Sequence, residues 1–209
     1  MIKHIVFDVD RTLVDSYQSE LLSLNNAIEI VKGYKLSSED LHRLTTLPTS
    51  VFFKSLNLTD DDLVNINKEW EKQIINYPTL CFNGIKDVIR KLYNDGYSIS
   101  ILTSRNKNEV LELNDILKDI ISLFSIIVTS DLVDNPKPSI DSMSYLCNKL
   151  NCTMDEIIYV GDSIIDKTFA ENCNCIFIPA CWENKELIGE PNFCTNPIDV
   201  IKIINKYKD

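Results

Sequence analysis

His4-Ile5-Val6-Phe7-Asp8-Val9-Asp10-Arg11-Thr12-Leu13-Val14-Asp15 begins as a short apolar run and stops abruptly at two carboxylates with one residue between them. Ile5, Val6 and Phe7 are too few for a helix and read as a buried strand. A strand that delivers acids at its C-terminal end, where an open α/β sheet binds ligands, is placing chemistry there. Taken alone the same residues fit an ordinary strand and polar turn, since Asp is common in turns. The rest of the chain separates the two readings.

The 209 residues allow one domain carrying an insertion, or two small domains. With 44% hydrophobic and 25% charged residues the chain can bury a substantial core. Its formal charge of -10 argues against a nucleic-acid partner, whose phosphates are bound mainly by Lys and Arg. A small anionic substrate stays possible, because local groups or a metal can invert the field at a site. No apolar run approaches the ~20 residues of a membrane span, so no membrane partner is expected. The N-terminus lacks the pattern of a signal peptide, and a cytoplasmic location is expected. The seven cysteines are odd in number, form no CxxC pair and lie away from the two histidines. Reduced thiols are the better reading than a zinc site. Nothing marks an interface, and a monomer is the expectation.

After the first strand the sequence turns helical. Leu21, Leu22, Leu24, Ala27, Ile28, Ile30 and Val31 fit an amphipathic helix stopping near Gly33. Ser37-Ser38-Glu39-Asp40 opens a second helix, Pro48 a third with Val51, Phe52, Phe53 and Leu56, and Thr59-Asp60-Asp61-Asp62 a fourth. From Gly84 strands alternate with helices. Strands are expected at 97–102, 124–128, 157–160 and 175–178, and helices at 85–92, 107–121, 139–150, 163–172 and 197–207. Such alternation argues for a Rossmann-like α/β fold, a parallel sheet of about five strands with right-handed crossovers. Residues 1–15 and 82–209 would form this core, and 16–81 an all-helical insertion.

Polar groups recur where the strands stop: Asp8 and Asp10, then Thr103 and Ser104, then Asp162 with Asp166 four residues later. Lys137-Pro138 precedes the 139–150 helix. In a parallel sheet all strand C-termini share one edge, so these groups converge. If the first and fourth strands are neighbours, roughly 4.8 Å apart, Asp8 and Asp162 can share one cation. Carboxylates without His or Cys suit a hard ion, and Mg²⁺ is the usual companion of substrate phosphates.

On these elements the chain resembles the haloacid dehalogenase-like hydrolase superfamily, in its phosphoglycolate phosphatase and β-phosphoglucomutase-like branch with a helical C1 cap. Asp8-Val9-Asp10-Arg11-Thr12, Ile101-Leu102-Thr103-Ser104, Lys137-Pro138 and Gly161-Asp162-Ser163-Ile164-Ile165-Asp166 occur in the family's order. The resemblance implies Asp8 as nucleophile, forming an aspartyl-phosphate, and Asp10 as acid and base. It implies that Thr103 and Ser104 bind the phosphoryl group and Lys137 bridges it to the nucleophile. Mg²⁺ would be held by Asp8, Asp10 and Asp162, with Asp166 behind it orienting Lys137. An acid at position 10 favours a phosphate ester over a halide, whose departure needs no proton. The substrate would be a small phosphorylated metabolite.

The family usually has Gly after the second Asp, where this chain has Arg11. Arg11 either tolerates the loop's torsions as a surface residue or binds an anionic part of the substrate. The cap would close over the site on hinges near 14–16 and 81–84. Thr45-Thr46-Leu47-Pro48-Thr49-Ser50 resembles the cap turn that faces the active site, although its polar residues read equally as helix caps. His42 reads as a surface residue, and Trp70 with Phe52-Phe53 as cap core. A phosphoglycolate phosphatase-like hydrolase is the leading expectation. A pyrophosphatase and a β-phosphoglucomutase-like phosphotransferase are alternatives, the latter without a matching His and Lys pair in 16–80. A non-catalytic phospholigand-binding protein is a further one.

Overall fold

The computed structural model describes residues 1–46 and 53–208. The expected helix start at Pro48, Val51, Phe52 and the turn 47–50 lie outside these residues, as do the side chains of His42, Thr45 and Thr46. The chain divides into two compact units, Met1–Asp15 with Cys81–Asp209, and Ser16–Leu80.

The larger unit is built on β1 (His4–Phe7), β2 (Ser98–Leu102), β3 (Phe124–Val128), β4 (Ile157–Gly161) and β5 (Ile176–Pro179). They form one parallel sheet in the order β3-β2-β1-β4-β5. β1 is therefore central, with Phe7 paired to Ile101 on one side and Val160 on the other. A strand buried on both faces reads as a continuous apolar run, which is what Ile5-Val6-Phe7 is. Side chains alternate across the sheet. Ile5 and Phe7 join Ile99, Ile101, Ile158, Val160 and Ile178 in one core cluster, whereas Val6 and Tyr159 belong to the other.

Helices cover both faces. Val88, Ile89 and Leu92 of α4 (Ile85–Asn94) and Val200, Ile201 and Ile204 of α9 (Asp199–Ile204) pack into the first cluster. Met143, Leu146 and Cys147 of α7 (Asp141–Leu150) and Phe169, Ala170 and Cys173 of α8 (Ile164–Cys173) pack into the second. α7 and α8 each end on an Asn in the left-handed region, Asn151 (φ 53°) and Asn174 (φ 51°). Asn takes the place that Gly more often fills at such stops.

The expected single helix over 107–121 is instead two short pieces, α5 (Lys107–Leu111) and α6 (Asn114–Leu117), then a 3₁₀ turn at Ile121–Leu123. Val110, Leu113, Leu117 and Ile120 are all buried, so the apolar spacing was helical throughout. The Asn114-Asp115 pair, whose side chains compete for nearby backbone groups, lies where the new segment begins.

The smaller unit contains α1 (Ser23–Lys32), α2 (Ser38–Thr46) and α3 (Asp60–Gln73). Leu24, Ala27, Ile28, Leu36 and Ile66 form its core, and Phe53 and Trp70 pack against them. Trp70 Nε1 donates to Ser23 Oγ at 2.6 Å. Thr59 and Asp62 complete a capping box at the start of α3. Among the described residues no helix is long and apolar enough to cross a membrane. All seven cysteines are free thiols.

Candidate active site

Asp8 is the first residue beyond β1, and its backbone N–H donates to Val160 O of β4 at 2.9 Å. Asp162 is the first beyond β4. The neighbouring strands thus release both carboxylates side by side. Ser163 caps α8, and Asp166 is the reciprocal member of that capping box. Gly161 leaves the space this needs: a Cβ there would sit 2.6 Å from both Cβ and Cγ of Asp166.

Lys137 enters from the loop before α7, preceding a cis peptide to Pro138. Its Nζ donates to Asp8 Oδ1 at 2.7 Å, Asp166 Oδ1 at 2.7 Å and Tyr159 OH at 3.0 Å. Its side chain is 4% exposed, so this is no solvated loop lysine. Asp166 accepts from Lys137, from Tyr159 OH at 2.8 Å and from Ser163 N and Oγ. The carboxylate that completes the cap of α8 is thus the one that accepts from Lys137.

Charge and burial explain the titration of this cluster. Burial raises Asp8 well above the usual carboxylate range. Lys137 opposes that shift, and Asp166, Asp10 and Asp162 reinforce it. Burial and the charge of Asp166 push Asp162 up to about 7, against Arg11, Asn184 and Lys137. For Asp166, burial acts upward too, but Lys137 and the hydrogen bonds from Ser163 and Tyr159 prevail and lower it. Burial disfavours the Lys137 cation, and Asp166 and Asp8 outweigh this to raise it.

One carboxylate oxygen from each of Asp8, Asp162 and Asp166 lies within 4.8 Å of the others, and all three residues are buried. An all-oxygen, anionic donor set fits a hard divalent cation. Such an ion would offset the burial and the neighbouring carboxylates that raise Asp8 and Asp162.

Thr103 follows β2, is buried, and its Oγ1 accepts from Arg105 N at 3.1 Å. Ser104 is exposed. Asp10 is gripped by Arg105, whose Nε donates to Oδ1 at 3.1 Å and Oδ2 at 2.9 Å, and Nη2 to Oδ1 at 2.6 Å. Arg11 does adopt the left-handed conformation, with φ 58°. Its side chain turns back to the protein rather than outward: Nε lies 2.5 Å from Glu183 Oε2 and 3.5 Å from Asp162 Oδ2. Asn184 Nδ2 donates to the backbone O and Oδ2 of Asp162.

Sequence reasoning missed Tyr159, Arg105, Glu183 and Asn184. A phenol inside an apolar strand needs a partner for its hydroxyl, which is a usable signal for Tyr159. Arg105 lies two residues past Thr103. Glu183 and Asn184 follow β5 with no local mark.

The model of the haloacid dehalogenase-like hydrolase family matches residues 5–180. Pyrophosphatase PpaX of Bacillus velezensis is 22% identical, over 87% of this chain and 84% of that protein. Phosphoglycolate phosphatase of Vibrio parahaemolyticus is 24% identical, over 94% and 90%. A hydrolase from Pseudomonas syringae has the same fold, with a TM-score of 0.77 at 21% identity, over 99% of this chain and all of that one.

Proposed function

Because this chain belongs to the haloacid dehalogenase-like hydrolase family, we propose that it is a Mg²⁺-dependent phosphatase of small phosphorylated metabolites, phosphoglycolate phosphatase-like, working through an aspartyl-phosphate. The observation that carries this reading is the Lys137 ammonium held between Asp8 and Asp166, with Asp162 beside them. That arrangement gives a nucleophile, a fixed cation against it and an anionic place for a metal.

A carboxylate oxygen of Asp8 attacks phosphorus, forming the Asp8–phosphorus bond as the bond to the leaving oxygen breaks. Asp10 gives that oxygen a proton. Asp10 then takes a proton from water as the water attacks phosphorus, and phosphate leaves with Asp8 restored. Lys137 neutralises the anion that gathers at Asp8, and Asp166 and Tyr159 hold Lys137 in place. Thr103 donates its hydroxyl to a phosphoryl oxygen, with Ser104 beside it. Asp8, Asp162 and the backbone oxygen of Asp10 would hold Mg²⁺, which supplies charge neutralisation to the phosphoryl oxygens. The helical unit Ser16–Leu80 is assigned the choice among substrates, as a cap.

Pyrophosphate hydrolysis is a second reading, and the Arg105 grip on Asp10 favours it. For Asp10 to present a proton to an alkoxide, this pair must loosen. A phosphate leaving group departs as a stable anion without that step.

The purified protein should release phosphate from at least one of phosphoglycolate, sugar phosphates, other short-chain phosphate esters, or pyrophosphate. Release should need Mg²⁺, stop with EDTA and vanish in Asp8→Asn. Release that persists in Asp8→Asn would refute the aspartyl-phosphate route. Stoichiometric binding without turnover would refute the enzyme.

A further inference from the structure

Arg11 occupies a place where its charge bears directly on the acidic cluster. Its backbone is in the left-handed region that Gly enters without cost, fixed by the hydrogen bond from Arg11 N to Val14 O at 2.8 Å. Its side chain is 16% exposed and lies against two carboxylates, Glu183 and Asp162. Asp162 belongs to the buried trio that suits a divalent cation. We propose that Arg11 is a built-in competitor for that cation, and that Glu183 sets how strongly it competes by drawing the guanidinium away from Asp162. This rests on the reading of Asp8 and Asp162 as cation ligands.

The physical basis is linkage. A guanidinium is always charged and carries only donors, so at 3.5 Å from Asp162 Oδ2 it offsets part of that carboxylate's charge without a proton or a metal, while Asn184 Nδ2 donates the hydrogen bond that Oδ2 accepts. A divalent ion entering beside Asp162 meets a like charge at short range in a buried setting that salt screens poorly. Each cation then weakens the other by the same factor. Glu183 lies 1.0 Å nearer to Nε than Asp162 does, 2.5 against 3.5 Å, so the guanidinium can stay paired while it yields Asp162. Arg11 thereby supplies Asp162 with a counter-charge that a bound metal would have to displace. Mg²⁺ occupancy would respond to metal concentration over a higher range than the donor set alone would set.

The test is calorimetric titration of MgCl₂ into the full-length, EDTA-stripped protein at fixed ionic strength, without substrate. Arg11→Gly and Arg11→Gln should each tighten Mg²⁺ binding, on the order of tenfold, within the usual range of coupling between sites. Arg11→Lys, which keeps the charge, should stay near the wild type. Glu183→Gln should weaken binding when Arg11 is present and leave it unchanged in the Arg11→Gln background. Equal affinity in the wild type, Arg11→Gly and Arg11→Gln would overturn the proposal while leaving the metal site intact. Equal weakening by Glu183→Gln in both backgrounds would overturn the role of Glu183, because it would then act on the ion directly. No Mg²⁺ heat in any of the proteins would overturn the metal-site reading itself, and this proposal with it.

Discussion

Asp162→Asn should make the metal-free protein more stable while making it inactive. Burial and the charge of Asp166 raise Asp162 from 3.8 to about 7. An acid raised in the folded state keeps its proton longer there than in the unfolded chain, so stability falls as pH rises through that range. Below about pH 4 the group is neutral in both states and costs nothing. Above about pH 7 the full penalty is in place, at most about 4 kcal/mol for a shift of roughly three units. Asn removes the charge and keeps the shape, but Asn184 and Arg11 lose their anionic partner, so a net gain of about 1–3 kcal/mol is expected at pH 8. Urea denaturation in EDTA at pH 5 and pH 8 reads this directly. The wild type should lose more stability than the variant between the two pH values, and the variant should be the more stable at pH 8. Excess Mg²⁺ should reverse the order by stabilising only the wild type. A variant no more stable than the wild type at pH 8 in EDTA would refute the reasoning that the burial penalty at Asp162 exceeds what Arg11, Asn184 and Lys137 offset.

Lys137→Met leaves Asp8 and Asp166 buried without their shared cation; unfolding free energy should fall by about 3–5 kcal/mol at neutral pH, and phosphate release should be lost. An unchanged urea midpoint would contradict that. Gly161→Ala forces Asp166 aside, because the new methyl would lie 2.6 Å from its Cβ and Cγ. A loss of about 1–3 kcal/mol is expected with a lower kcat, and a crystal structure with Asp166 unmoved would count against it. Thr59→Ala removes the cap of α3 and should cost about 1 kcal/mol in the same denaturation assay, whereas Thr59→Ser should restore most of it.

The parts of the molecule legible from residues alone are those with a local cause. The run Ile5-Val6-Phe7, the capping boxes at Thr59 and Ser163 and the alternation of apolar strands with helices all follow from backbone preferences and spacing within a few residues. Those signals lead to a parallel α/β sheet with an all-helical stretch after its first strand. They also mark the strand-end acids, because Asp8 and Asp162 interrupt apolar runs. They do not distinguish one helix from two over 107–121, since Val110, Leu113, Leu117 and Ile120 keep helical spacing through the break.

What only the tertiary structure decided is which distant groups meet. The pairing of Phe7 with Val160 sets Asp8 beside Asp162. Arg105 reaches Asp10 across 95 positions, and Arg11 reaches Glu183 across 172. The sequence by itself determined the strand that ends in carboxylates and, outside 107–121, most of the helical stretches, with the helix opening at Thr59, because each depends on neighbours within a turn or a strand. The tertiary structure decided that Lys137 is buried between two of those carboxylates and that Arg11 turns inward. Those outcomes depend on strand order and loop path, and a side chain's partners across such separations leave no trace in the residues adjacent to it.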